Sequence, residues 1–165
     1  MTPLIARCTC GKVELEAVGA PIASVVCHCD DCETGAQQIE ALSDAGRVRE
    51  PDGGVGYLAY RKDRVRTAKG AELLRGHKIR EDSATNRMVA TCCNAAMILT
   101  FDDARHWVDL YRARVVGVAP PLEMQLCAKY RQGGARDETV PAFPKYPLRL
   151  VVKLVAARIA MLLGT

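Results

Sequence analysis

Residues 25–35 read VVCHCDDCETG, which puts Cys27, Cys29 and Cys32 within six positions. In an extended chain residues two apart point to the same side, so Cys27 and Cys29 can face one ion. A turn over the next three positions brings Cys32 round. Zinc takes four tetrahedral N/S ligands in closed structural sites and keeps one position for water or substrate in reactive ones. Three local thiolates therefore suggest an open metal site made by Cys27, Cys29 and Cys32. Cys32 lies near the start of an expected helix, which lowers a thiol pKa and helps hold the charge. His28, between two same-facing cysteines, is expected to point away from the ion, outward or beside the metal; its functional role would be that of a proton shuttle. Asp30 and Asp31 suit the helix start as caps, with a second use as hydrogen-bond acceptors beside the ligands. His28, Asp30 and Asp31 are thus the candidate catalytic groups.

Cys8 and Cys10 repeat the C-x-C spacing in RCTCGKVELEAVG and need further partners. Cys92 and Cys93, in RMVATCCNAAMIL, can complete a closed four-thiolate structural site by crossing from another strand. Adjacent residues of a strand face opposite ways, so both reach one ion only if the backbone turns there. Otherwise Cys93 is a ligand and Cys92 is a buried thiol or reaches the open site. Thiol redox at Cys92–Cys93 explains fewer of the cysteines than metal binding does. Cys127 stands alone in LEMQLCAKY and reads as a small buried hydrophobe, its alternative being a resolving thiol.

The elements that must hold these residues are mostly strands. After Gly11, Val13, Leu15 and Val18 alternate with charged residues as in a half-buried strand, and IASVV leads a second strand into the first motif. ETGAQQIEALSDAG has the composition of a short helix ended by Gly46. Residues 55–68 and 71–80 suggest two strands joined at Ala68–Lys69–Gly70. HWVDLYRARVV and LEMQLCAKY are further strand candidates. RQGGARDETVPAFPKYP is a Gly/Pro-rich linker, and LRLVVKLVAARIAMLL a helix whose Leu148, Val152, Val155, Ile159 and Leu163 share one face. That face is expected to pack on the core or to form a homodimer contact. Arg149, Lys153 and Arg158 argue against a membrane span, and a membrane-surface anchor is the minority reading.

The fold class expected from these elements is mainly β (α+β), with a short helix after the middle motif and a C-terminal helix. The expected organisation is a zinc-binding β domain over 1–130, a linker over 131–147 and the helix over 148–163.

With 165 residues, 49% hydrophobic and 25% charged, the chain suits one domain with an appendage. The N-terminal apolar run is too short for a signal peptide, which points to a reducing cytoplasm, where eight cysteines favour metal over disulfides. The formal charge of +4 falls to about +1 once seven thiolates hold two divalent cations, which removes the case for a nucleic-acid partner. Aromatics at 5% are also few for base stacking. Residues 61–80 hold eight Lys/Arg against two acids. Solvated faces of a hairpin explain this, and a surface attracting small anions or a phosphate backbone is the alternative.

The layout C-x-C-G, C-H-C-x-x-C and a late cysteine cluster resembles the glutathione-dependent formaldehyde-activating enzymes, to which centromere protein V looks related. The residues that carry the resemblance are Cys8-Thr9-Cys10-Gly11, Cys27-His28-Cys29-Asp30-Asp31-Cys32, and Arg87 through Leu99, within residues 4–101. It implies two zinc ions per chain, a structural one at Cys8, Cys10 and the late cluster, and a catalytic one at Cys27, Cys29 and Cys32. It further implies a mainly β fold of several small coiled β-sheets pinned by the zinc sites, and carbon–sulfur lyase chemistry on a small thiol adduct. The chain departs from the family where a late C-x-x-C-G would fall, having Ala90-Thr91-Cys92-Cys93-Asn94, and where S-G-S/A-x-F would fall, having Glu33-Thr34-Gly35-Ala36-Gln37. The alternative to catalysis is a zinc-stabilised binding module that uses the basic hairpin or the apolar tail.

Overall fold

A computed structural model describes residues 2–131 and 138–164. The chain forms two sheets. The smaller has the order β1–β2–β5, from β1 (Leu4–Arg7), β2 (Glu14–Ala17) and β5 (Val65–Lys69). The larger has the order β10–β3–β4–β9–β8–β7–β6, from β3 (Ala23–Cys27), β4 (Val55–Arg61), β6 (Leu74–His77), β7 (Thr85–Ala90), β8 (Ala95–Phe101), β9 (Trp107–Tyr111) and β10 (Met124–Leu126). Helix α1 (Asp30–Glu40) follows β3 directly, and α2 (Leu148–Leu162) closes the described chain. The fold is mainly β with two helices, as the sequence suggests; the expected small sheets are two, one of them seven strands wide.

The two-residue period of the large sheet divides the interior into two cores. One face carries Val25, Cys27, Tyr57, Leu99, Tyr111 and Leu126 beneath Ile39 of α1 and Leu150 of α2. The opposite face carries Leu58, Tyr60, Ile98 and Leu110, which meet Ala6, Leu15 and Ala17 of the small sheet. Strand β3 is buried at every position, as expected of a strand covered on both faces. Its neighbours are β4, antiparallel, and β10, parallel, with Leu126 beside Cys27.

Two expectations change here. Residues 55–68 are not one strand, and the basic segment is not a hairpin. After β4 the chain turns through Lys62–Arg64, held by Arg61 on Asp63 (3.0 Å) and by the Lys62 amide on the His106 carbonyl (3.0 Å), and enters the other sheet as β5. The cations of β5 and β6 mostly face solvent; Arg66 of β5 pairs with Glu16, and Lys78, just after β6, with Asp102 at 2.6 Å.

The second change concerns α2. Its packed side is Leu150 and Leu154, whose carbonyl accepts a hydrogen bond from the His106 ring (2.8 Å). Arg149 Nη2 donates to the Glu123 carbonyl (2.9 Å), and Lys153 pairs with the Glu123 carboxylate. The face that periodicity singles out, Leu148, Val152, Val155, Ile159 and Leu163, is exposed. Apolar residues occur all round this helix, so pattern alone cannot choose the side; the bonds to Glu123 and His106 do. Of the expected linker, 132–137 lies outside the described residues. Pro141 and Phe143 bond Gln125 across the free side of β10 (2.8 and 2.9 Å).

Candidate metal centre

Two groups of cysteines converge. In the first, Cys8 opens a tight turn after β1. Its amide bonds the Val13 carbonyl (3.0 Å), the Gly11 amide bonds its carbonyl (3.0 Å), and the Val13 amide points at its sulfur (3.2 Å). Gly11 sits at φ +77°, a conformation that favours glycine. Cys92 and Cys93 occupy the turn between β7 and β8, closed by the Cys93 amide on the Ala90 carbonyl (3.1 Å), with Asn94 left-handed at φ 51°. The backbone thus turns where it must for neighbouring cysteines to reach one point. The Cys8, Cys10, Cys92 and Cys93 sulfurs all lie within 4.8 Å of one another, with Cys10–Cys92 at 3.3 Å and Cys8–Cys10 at 3.7 Å. Desolvation, with the neighbouring Cys10 and Cys8 sulfurs, pushes the Cys92 thiol up to about 12. Asn94 fills the position of the family glycine because asparagine, after glycine, best tolerates that conformation. Ala90, where a cysteine would fall, is fully buried in the core instead.

The second group is local. Cys27 ends β3, Cys29 is the N-cap of α1 in extended conformation, and Cys32 lies in its first turn. The Cys32 and Glu33 amides both donate to the Cys29 carbonyl (3.0 Å each). The three sulfurs lie within 4.8 Å of one another, Cys27–Cys29 at 3.5 Å. Contacts with the surrounding thiols, Cys127 first, and burial hold the Cys27 thiol far above its ordinary value. The Cys32 thiol is pushed up to about 12: contact with Cys27 lowers it, but Cys29 and burial outweigh that. Cys29, accepting hydrogen bonds from Cys27 and Cys32, goes the other way, to about 2. Crowding therefore lets the trio carry one negative charge easily and resist more, unless a cation joins them. Sulfurs bound tetrahedrally to zinc at about 2.3 Å stand about 3.8 Å apart, so both groups fit that ion.

This trio opens on a cavity of about 480 Å³ between the large sheet and α2. Alternate residues of the sheet form its floor: Tyr57 of β4, Arg87 of β7, Leu99 of β8, and Trp107 and Asp109 of β9. Leu150 and Leu154 form its roof, and Tyr146, 60% exposed, stands at its rim. Arg87 is 1% exposed; its Nη2 donates to the Asp31 carbonyl (2.6 Å), while its Nε and Nη1 meet no acceptor. A Cβ on Gly35 would stand 2.0 Å from Arg87 Nε, so glycine is what lets this guanidinium lie against α1. Burial raises the Asp109 carboxyl to about 7, with Arg105 opposing, and burial together with Cys32 holds the Tyr57 phenol well above its ordinary value.

Three expectations for catalytic groups meet different fates. Asp31 borders the cavity with an exposed carboxylate, 3.8 Å from Arg80. Asp30 is exposed in the first turn of α1 and is not part of the cavity wall. His28 points away from the trio, as alternation requires, but it is buried rather than outward, 3.5 Å from Asp52. Burial lowers its pKa, with Asp52 opposing. Gly54 makes room for it, since a Cβ there would stand 2.6 Å from the His28 ring. Lys/Arg of 61–80 do not line the cavity; Arg87 and Arg105 do. Sequence reasoning missed Tyr57, Asp109 and Tyr146, and gave Arg87 no role. The signal for Tyr57 and Asp109 was alternation along a strand with a polar group on its buried face.

The sequence profile of the glutathione-dependent formaldehyde-activating enzymes matches residues 3–115. The chain belongs to that family. Its two cysteine groups lie inside the matched segment, whereas Cys127, Tyr146 and α2 lie beyond it. A crystal structure of a Rhodobacter sphaeroides protein, a structural-genomics target, is similar at TM-score 0.49 and 18% identity, over 70% of this chain and 91% of that one. No curated protein matches. Among the described residues no helix is long and apolar enough to cross a membrane.

Proposed function

We propose that this family member makes or breaks a carbon–sulfur bond in a small thiol–aldehyde adduct, at a zinc held by Cys27, Cys29 and Cys32. The observation that carries the reading is the meeting of that trio with a cavity of about 480 Å³, within the size range of small-molecule sites. Zinc there would supply Lewis acidity toward the substrate sulfur or hydroxymethyl oxygen and lower the pKa of the group it binds. In the forward direction a thiol adds to an aldehyde. The C–S bond forms, the C=O π bond becomes C–O, and the thiol proton ends on the new hydroxyl, with no oxidant required.

The chain's own residues supply the remainder. Arg87 lines the cavity with Nη1 meeting no acceptor, which suits it to hold a substrate carboxylate. Asp109, with its carboxyl near 7, can hold or release a proton at neutral pH, which makes it a better proton carrier for this cavity than His28 or Asp30. Leu150 and Leu154 keep bulk water from the roof side. Zinc at Cys8, Cys10, Cys92 and Cys93 would be structural, fastening the small sheet to the β7–β8 turn. Eight free cysteines fit a reducing, cytoplasmic setting. Two copies would associate through the exposed stripe of α2.

Cobalt-substituted protein tests the reading. Titration with small thiols should change the sulfur-to-metal charge-transfer bands, and Cys32→Ser should abolish the change. ¹³C NMR of formaldehyde with the same thiol should show faster adduct exchange with the zinc protein than without it. A cobalt spectrum indifferent to every thiol, together with unaccelerated exchange, would discard the proposal.

A further inference from the structure

Cys127 comes from the part of the chain beyond the family segment, yet it meets the family's catalytic cysteines. Strand β10 is the one strand of the large sheet that runs parallel to its neighbour, and its pairing sets Leu126 beside Cys27. The His28 amide bonds the Leu126 carbonyl (3.0 Å), locking that register one residue before Cys127. Cys127 then adopts the left-handed conformation, φ 57° and ψ 32°. A cysteine seldom takes this backbone, which costs of order 1 kcal/mol and persists where the surroundings impose it. The residue is 7% exposed, packs in the same core as Cys27, and is the thiol that acts most strongly on Cys27. Ordinary core packing needs neither the strained backbone nor a thiol contact.

We propose that Cys127 is the fourth ligand of the Cys27–Cys29–Cys32 metal in the resting protein, and that a substrate thiol takes its place. The first half concerns coordination alone; the second rests on the function proposed above. Cys127 packs in the same core as Cys27 but is not within 4.8 Å of all three sulfurs, so coordination requires it to close on the trio. A ligand held at the edge of reach is one that a substrate can displace. A fourth thiolate adds negative charge, and cations stand near: Lys129 acts on Cys127 directly, and the buried Arg87 lies against the first turn of α1. The exchange is ligand for ligand. Cys127 leaves the metal, takes up the proton of the incoming thiol, and nothing is oxidised.

The experiment is ¹¹³Cd NMR of the full chain loaded with two cadmium ions, in which each site gives its own resonance. Two resonances at four-sulfur positions in the unaltered protein are expected, and Cys127→Ser should move one of them upfield to a three-sulfur position. Chelator competition should show at least a tenfold weaker hold on one metal in Cys127→Ser. A small thiol should then bind the variant at least tenfold more tightly than the unaltered protein. One resonance at a three-sulfur position in unaltered protein, unmoved by the substitution, would overturn the ligand role. A Cys27–Cys127 cystine in freshly purified reduced-buffer preparations would do the same. If the four-sulfur signature appears and no thiol disturbs it, the coordination stands and the displacement is refuted, together with the proposed function.

Discussion

The two cysteine groups have the same donors and opposite surroundings. Cys8 and Cys10 come from the turn between β1 and β2 of the small sheet and Cys92 and Cys93 from the turn between β7 and β8 of the large one, so the four sulfurs meet where the two sheets meet. Cys27, Cys29 and Cys32 come from one strand–helix junction already fixed by β3 and α1, and they face a cavity. A metal in the first would tie the three-stranded sheet to the seven-stranded one beside the core they share. A metal in the second would add less to a junction that hydrogen bonds already hold, which makes it the better candidate for chemistry.

The sharpest way to break that contrast is to delete one ligand from each group. Structural zinc contributes on the order of 10 kcal/mol in small domains, comparable with the whole stability of about 5–15 kcal/mol. Cys93→Ser should therefore lose cooperative melting by circular dichroism, whereas Cys32→Ser should melt normally and bind one metal fewer per chain. The reverse pattern would exchange the two roles.

Next in size are changes to the cavity wall and roof. Leu150→Ala should cost about 2–5 kcal/mol, as truncation of a buried leucine does. Gly35→Ala should cost about 1–3 kcal/mol by driving a methyl into Arg87. Chemical denaturation measures both, and the first should also weaken small-ligand binding.

A smaller effect is a pH dependence. The Asp109 carboxyl is raised from 3.8 to about 7 by burial, so the folded state binds its proton more tightly than the unfolded chain does. The resulting stability is full below about pH 4, declines as pH rises and is lost above about pH 7. Asp109→Asn should flatten that decline in melts recorded between pH 4 and 8. An equal slope in both proteins would remove Asp109 as the titrating group. The smallest expected effect belongs to the loop before β10: Val118→Ser, 97% exposed, should stay within about 0.5 kcal/mol of the unaltered protein.

Much of this was legible in the sequence where short-range rules decide. C-x-C spacing put Cys27 and Cys29 on one side, the acidic Asp30 and Asp31 suited the start of α1, alternation found β2, and short apolar runs marked β3 and β9. What was not legible depends on partners remote in sequence. Nothing between Arg61 and Val65 is glycine or proline, so the change of sheet there leaves no local mark; it is made by Asp63 and by the His106 carbonyl. The turn that lets Cys92 and Cys93 converge rests on an asparagine in a glycine conformation. Cys127 reads as a core filler because its neighbour Cys27 is a hundred residues away. The cavity required β4, β7, β8 and β9 to be placed side by side before their polar residues could be seen to share one face.

The separation between Cys8 and Cys92, 84 residues, sets a timetable for the chain as it is made. At roughly 5–20 residues per second on the ribosome, the first pair emerges on the order of ten seconds before the second exists. During that interval two thiols of the small sheet have no complete site, and the nascent chain depends on a reducing milieu and on a metal supply that does not trap them early. The trio at 27–32 emerges together, and only its proposed fourth ligand, Cys127, comes later.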